Sequence, residues 1–168
     1  MAESSIKSSF QFKSYKVDKI NFYSKPDINV LIRMNNIPLD EMNLAFAIRQ
    51  PLFFSSEKIY VGGFDLLFHV SATDQKDDTP VAGPNEHTLV RLEMGIAGVF
   101  KIEDDKLTSE QEDELVKVSI PAILLPYARA ALTSLLANAG FGAVIFPLVN
   151  IYELAKEQMK DTTVKVLE

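Results

Sequence analysis

The most regular pattern in the chain lies between Ile120 and Lys156, IPAILLPYARAALTSLLANAGFGAVIFPLVNIYELAK. Leu124, Leu125, Ala128, Leu132, Leu135, Leu136 and Ala139 recur at three- and four-residue spacing, which puts them on one face of a helix. Ser119 reads as its N-cap, and Pro121 suits the first turn, where a missing N–H costs nothing. Pro126 is expected to bend or restart the helix, because it cannot donate to the carbonyl of Ala122. Ala128, Ala130, Ala131 and Ala137 leave the surface flat enough for another helix to approach. Gly140 and Gly142 supply the positive-φ freedom that ends the helix after Ala139. Ala143 to Val149 then reads as an uncharged extended segment. Asn150 with Glu153 caps a second, shorter helix with Ile151, Leu154, Ala155 and Met159 on its apolar side.

Upstream the period changes to two. Phe10 and Phe12 alternate, then Tyr15 and Val17, and a bulge near Ser14 accounts for the change of phase within Phe10 to Phe22. Ile28, Val30, Ile32 and Met34 alternate again. Met42, Leu44, Phe46 and Ile48 face one way between Pro38 and Pro51, followed by Leu52, Phe53 and Phe54. Lys25 to Lys58 is therefore a long, partly extended crossing segment, and segments of that length are usually functional. Ile59 and Val61, then Phe64, Leu66, Phe68 and Val70, alternate with a shift at Gly62 and Gly63. Asp74 to Glu86 is a polar connection. Thr88, Val90, Leu92, Met94 and Ile96 share one side of the next strand, with His87, Leu89, Arg91 and Glu93 opposite. Gly95 and Gly98 are expected to break it before Val99, Phe100 and Ile102. Ser109 with Glu112 fits a capping box for a helix running to Lys117.

Strands followed by helices predict an α+β domain, an antiparallel sheet with helices on one face. The 168 residues suit one domain with its own core, and the ends near 1–8 and 161–168 are expected to be loosely held. A net charge of −6 argues against sequence-independent nucleic-acid binding, which relies on clustered Lys and Arg. With no cysteine, disulfides and thiolate metal sites are excluded. MAESSIKSSF lacks a basic region followed by an apolar core, so no signal peptide is read and the cytoplasm is the simplest location. Ala130 to Tyr152 carries no charge, but its Thr133, Ser134, Asn138, glycines and Pro147 favour a segment buried in protein over a membrane span. His69 and His87 stand in strand patterns without ligand spacing, so no metal is expected. Asp77, Asp78, Glu103, Asp104 and Asp105 read as solvated loops. No nucleophile elbow or phosphate loop occurs, so the chain reads as no enzyme, with no cofactor.

LLPYAR at Leu124 to Arg129, the glycine break at Gly140, and PLVN at Pro147 to Asn150 together resemble the SecB export chaperones. That family carries a similar FPYAR helix, a glycine-containing turn and an APVNF-like start to its last helix. The likeness covers most of the chain, more loosely before Tyr60. It implies a four-stranded antiparallel sheet with a long helix and a shorter C-terminal helix on one face. It implies an ATP-independent holdase that keeps preproteins unfolded for the SecA motor. It also implies a homotetramer, a dimer of dimers with long helices between two outer sheets. In that arrangement Leu124, Ala128, Ala131, Leu132 and Leu135 lie between subunits.

An apolar surplus stands in or beside connecting segments: Phe46, Leu52, Phe53, Phe54, Phe141, Phe146 and Tyr152. One reading is satellite core that covers the sheet or a subunit contact. The other is a groove for extended apolar client segments, near the crossing segment and the last helix, tolerant of sequence because main-chain bonds supplement apolar pockets. The negative net charge favours clients with basic flanks. Aligned with the family's acidic SecA-docking positions, Lys19 and Tyr23 replace carboxylates; Glu93 matches one, with Arg91 in place of an apolar neighbour. Lost charges at a docking face alter specificity, so delivery to SecA is less expected than chaperone activity. Related SecB-like proteins guard antitoxins, which makes an antitoxin a second candidate partner. The alternative is a structural or adaptor oligomer whose groove is filled by its own side chains; a small-ligand cavity has little specific support.

Overall fold

In the computed structural model, which describes residues 10–26, 30, 34, 42–72, 84, 87–103 and 107–168, six strands form one sheet. They are β1 (Phe10–Ser24), β2 (Asn43–Ile48), β3 (Leu52–Phe54), β4 (Ile59–Ser71), β5 (Thr88–Ile102) and β6 (Lys165–Leu167). The order is β1-β5-β4-β3-β6, with β2 also on β4. All pairs are antiparallel except β3 with β6. The expected four strands become six for two reasons. The crossing segment forms two short strands end to end along β4, interrupted at Arg49–Pro51. Residues 165–167, near the end expected to be loose, then pair beside β3.

β1 contains two irregularities, between Phe12 and Ser14 and between Val17 and Lys19. Each extra residue resets the phase. As a result Phe10, Phe12, Tyr15, Val17, Ile20 and Phe22 all oppose inner-face positions of β5, from Ile102 to Leu92. The first lies where the sequence placed it; the second, at Asp18, was not expected.

β4 and β5 pair without interruption through Gly62↔Gly98, Gly63↔Ala97 and Asp65↔Gly95. The shift expected at Gly62 and Gly63, and the break expected at Gly95 and Gly98, therefore do not occur. Two of these glycines have a packing role. A Cβ on Gly62 would lie 2.9 Å from Ile120 Cγ2, and one on Gly98 would lie 2.9 Å from Leu124 Cδ2. Glycine weakens a strand on its own, but here the missing side chains form the seat on which a helix rests.

That helix spans Ser109–Phe141. It comprises α1 (Ser109–Glu114), a wide π-type turn (Leu115–Ser119), α2 (Ile120–Leu136) and a second wide turn (Ala137–Phe141). The cap is Thr108, not Ser109. Gln111 N–H donates to Thr108 Oγ1 at 3.3 Å, and Thr108 N–H to Gln111 Oε1 at 3.0 Å. Glu112 instead accepts a hydrogen bond from the Tyr60 hydroxyl, tying the helix start to β4. Burial, and then Glu112, push the Tyr60 phenol above its ordinary range. Ser119 makes no capping bond and lies inside the helix. The wide turn comes just before Pro121, whose ring crowds the carbonyl four residues back and which has no N–H to offer it. Pro126 does not interrupt α2. Gly140 (φ 93°) and Gly142 (φ 69°) end the helix in the left-handed region, as expected. Residues 142–150 have no regular structure. Asn150 Oδ1 then accepts from Glu153 N–H and opens α3 (Ile151–Met159).

Ile120, Leu124, Ala128, Leu132 and Leu136 are at most 1% exposed, packed on the inner face with Phe64, Phe68, Leu92, Ile96 and Phe100. Burying each Leu or Ile contributes about 1.5–3 kcal/mol. Val30 and Met34, expected to alternate in a strand, are helical and buried; positions four apart share a helix face. Ile28, Ile32, Pro38, Asp77, Asp78, Asp104 and Asp105 lie outside the described residues.

On the outer face Arg49 clamps three strands. Its Nε and Nη2 donate to Asp65 on β4 at 2.9 and 2.8 Å, and its Nη1 and Nη2 to Asp18 on β1 at 2.6 and 2.9 Å. It crosses β5 over Gly95, where a Cβ would lie 2.1 Å from Nη2. The Arg49 hydrogen bonds hold the Asp18 carboxyl below its ordinary range, outweighing partial desolvation. Because these side chains are roughly one-third exposed, Arg49→Gln should cost only about 1 kcal/mol at neutral pH. A depressed carboxylate stabilises the fold above its unfolded pKa, and that stability is lost as pH falls through its folded value. Urea titrations at several pH values should therefore show a constant gap above about pH 5 that closes below about pH 4. A gap that persists undiminished to pH 2 would rule out charge as the contribution of Arg49.

Candidate functional site

With its sheet-facing stripe covered, α2 presents a second flank made of Ala122, Leu125, Pro126 and Arg129. Across from it stand Val149, Asn150, Ile151 and Tyr152, and the cleft between measures about 520 Å³. A narrower apolar crevice adjoins it, lined by Leu44, Phe46, Leu66, Leu132, Phe146 and Pro147. Leu125, Arg129 and Val149 line both, so the two form one site. The far wall follows from the extended run after Gly142. Val144 and Phe146 turn inward, while Ile145 (72%) and Leu148 (89%) face out. Arg129 Nη2 donates to Phe146 O at 3.3 Å and fastens this wall to the helix.

The expected groove residues separate into two groups. Phe46, Phe146 and Tyr152 come together at this site. Phe46 also meets Phe64 edge-on at 5.6 Å, and Phe146 meets Phe68 at 5.3 Å. Phe146 is buried, whereas Tyr152 stays open to solvent. Phe141 is core: the turn at Gly140 tucks it inward, edge-on to Phe22 at 6.3 Å. Leu52, Phe53 and Phe54 belong to β3, which pairs with the start of β4, whereas β2 and the crevice lie along its later half. Phe53 lies against Tyr60 at 4.6 Å, and Leu52 and Phe54 take the opposite face. Leu44, Leu66, Leu125, Arg129 and Val149 were not anticipated. Arg129 had a signal, as the one charged residue between Pro121 and Tyr152.

The residues expected between subunits also divide. Leu124, Ala128 and Leu132 are covered by the chain's own sheet, because that is where α2 spends its apolar stripe. Ala131 and Leu135 are half-buried beside it. On the third flank, Tyr127 packs its ring 4.6 Å from Tyr15 and 5.4 Å from Phe12, leaving both tyrosines and Ile20 exposed.

Lys19, Tyr23, Arg91 and Glu93 share the outer face of β1 and β5, with Tyr23 opposite Arg91. Glu93 is held between two cations, Arg91 Nη2 at 2.9 Å and Lys19 Nζ at 3.1 Å. The hydrogen bonds from Arg91, then Lys19, hold its carboxyl below the ordinary range. Glu93, expected at a docking position, is thus ion-paired within the chain.

α3 also closes the edge of β2 beside the crevice. Gln158 Nε2 donates to Phe46 O at 2.9 Å, and Ile48 N–H donates to Gln158 Oε1 at 2.8 Å. One side-chain amide thereby replaces a neighbouring strand. Gln158→Ala should speed hydrogen exchange of the Ile48 amide several-fold and cost about 1 kcal/mol. Gln158→Glu keeps the acceptor and should protect Ile48 better than alanine does; equal protection in all three proteins would count against the edge-capping role.

The family described as Preprotein translocase subunit SecB matches residues 54–162, from the last residue of β3 through α3. The protein-export protein SecB of Dechloromonas aromatica is 32% identical over 83 residues, 49% of this chain and 53% of that protein. Its counterpart from Neisseria meningitidis serogroup A is 30% identical over 105 residues, 62% and 65% of the two chains. The match thus spans less than two thirds of the length of these two relatives. For the SecB of Chromobacterium violaceum the identity is 30%, covering 62% of this chain and 87% of that one. Among solved structures, a SecB-like chaperone of Mycobacterium tuberculosis in complex with a ChAD peptide from the HigA1 antitoxin superposes with a TM-score of 0.56. It is 10% identical, covers 84% of this chain and 91% of its own, and shares the fold. A sheet with the long and the shorter C-terminal helix, joined to a family match over most of the chain, gives the conclusion that this chain belongs to the SecB family.

Proposed function

We propose that the chain is an ATP-independent holdase that takes extended apolar segments of unfolded polypeptides, preproteins among them, into the cleft between α2 and residues 149–152. The observation that carries this reading is an apolar cleft flanked by exposed Tyr152 and Leu148 on a fold otherwise well packed. Membership of the SecB family supports it. The antitoxin peptide borne by the tuberculosis chaperone supports antitoxin protection as the other use of such a cleft. Binding needs no nucleotide, metal or nucleic acid, and the protein works in the cytoplasm. Docking to SecA is weak, since Lys19 and Arg91 already occupy Glu93.

Assembly is a homotetramer, and the surface offered to another subunit is the strip of Tyr15, Ile20 and Tyr127, not the buried Leu124, Ala128 and Leu132. A second reading, an adaptor oligomer without clients, draws on Phe53, Phe141 and Phe146, which pack against the chain's own aromatic rings.

Two measurements test these readings. Tyr152→Ala should weaken suppression of aggregation of an unfolded client several-fold and leave the melting temperature nearly unchanged, because an exposed ring contributes little to the apo fold. Phe146→Ala should instead cost about 3–5 kcal/mol of stability. Normal suppression by Tyr152→Ala would move the client site elsewhere, and no suppression by the wild type would favour the adaptor. Light scattering should give four chain masses for the wild type and smaller particles for Tyr127→Asp. A wild-type monomer at micromolar concentration would reject the assembly.

A further inference from the structure

β6 follows α3 and lies beyond residues 54–162, the part of the chain that matches the family. It pairs with β3 in parallel over three residues, Leu52↔Lys165, Phe53↔Val166 and Phe54↔Leu167. Lys165 N–H donates to Pro51 O at 2.9 Å, and Leu167 O accepts from Ser55 N–H at 3.0 Å and from Ser55 Oγ at 3.1 Å. Gln50 Nε2 donates to Thr163 O at 2.8 Å. Every one of these bonds ends on the backbone of the last segment, so its own side chains add little. Lys165 and Val166 are exposed, Val166 by 63%, and within 163–168 only Val164 and Leu167 are half-buried.

A parallel pair is slightly less stable per residue than an antiparallel one, and a segment with few buried apolar contacts opens at low free energy. β3 is held differently. Antiparallel pairing with β4 and the packing of Phe53 on Tyr60 keep it in place when β6 leaves. The edge then uncovered carries Leu52, Phe53 and Phe54, with N–H and C=O groups free to pair. The neighbouring edge of β2 stays closed by Gln158. We infer that the β3 edge is a second site for unfolded polypeptide, entered by an extended apolar segment that displaces β6 and pairs through its main chain. This builds on the client reading above, but none of Leu52, Phe53 and Phe54 lines the cleft. Main-chain hydrogen bonds, not side-chain pockets, supply the recognition. β6 competes for the edge, so apparent affinity is reduced by the fraction of molecules in which the edge is open.

The chain has no cysteine, so Leu52→Cys with Lys165→Cys places a single pair across β3 and β6, at a strand spacing of about 4.8 Å that a disulfide spans. Oxidation locks β6, and reduction of the same protein frees it. Lys165→Pro removes the N–H given to Pro51 and loosens β6 without a cysteine. Anisotropy is read with two labelled peptides of alternating Val and Thr, one unmodified and one with its backbone N–H groups methylated. The unmodified peptide should bind the reduced double variant and Lys165→Pro about ten-fold tighter than the oxidised form, and the methylated peptide should bind all three alike. Binding of the unmodified peptide alone, to released forms alone, supports the edge and removes the cleft. Equal affinity for locked and released forms overturns the inference and, where both peptides bind, leaves the cleft standing. An equal gain by both peptides overturns it in favour of uncovered apolar surface. Tighter binding to the locked form overturns it in favour of pairing outside β6. Growth of the released protein into larger particles without peptide overturns it in favour of a second copy of the chain at this edge. If neither peptide binds any form, the client reading and the inference fail together. If the double variant does not fold, Lys165→Pro against the wild type decides.

Discussion

Ile120 and Leu124 rest on Gly62 and Gly98, and the remainder of the molecule is arranged around that contact. The two glycines oppose one another at the centre of the sheet, where side chains of ordinary size would hold the helix off. Their weak strand propensity is offset by the close packing of a five-residue stripe from Ile120 to Leu136. Thr108 caps the start, Tyr60 holds Glu112, and the wide turn before Pro121 adjusts the phase so that the stripe meets the sheet.

A helix seated by one stripe leaves two flanks that are also apolar. This is why Ser109–Phe141 is long and apolar enough to pass for a membrane span on composition, although its central face is packed on strands. One flank meets β1 and exposes Tyr15 and Tyr127. The other faces residues 149–152 and becomes the cleft. The same surplus of apolar positions thus serves the core, the proposed subunit contact and the proposed client site, separated by angle around one helix.

Exposed strand edges invite pairing with other chains, which the proposed function would aggravate. Three devices limit this. Gln158 occupies the edge of β2, and β6 lies along β3. β1, at the end of the sheet, carries two bulges and the charges of Lys13, Lys16, Asp18 and Lys19. The proposed client site then lies in the cleft, where Arg129 is the one charge among the described residues.

Local patterning carried much of this into view. Period-two runs located β1, β4 and β5, spacing of three and four located α2, and Gly140, Gly142 and Asn150 marked its end and the start of α3, because these signals depend on neighbours in the chain. The motif residues around Arg129 likewise pointed to the family. Signals that depend on distant partners were misread. Gly62 and Gly98 look like strand breaks until Ile120 and Leu124 are brought above them, and Phe141 and Phe146 look available until Phe22 and Phe68 cover them. Leu124, Ala128 and Leu132 look like an interface because a helical stripe does not say whether its own sheet or another subunit will bury it. Phe53 and Phe46 are equivalent by pattern, and the pairing of β3 and β2 with opposite halves of β4 sends only Phe46 to the cleft. Burial and cleft geometry arise from contacts across long sequence separations, and tertiary packing settles them.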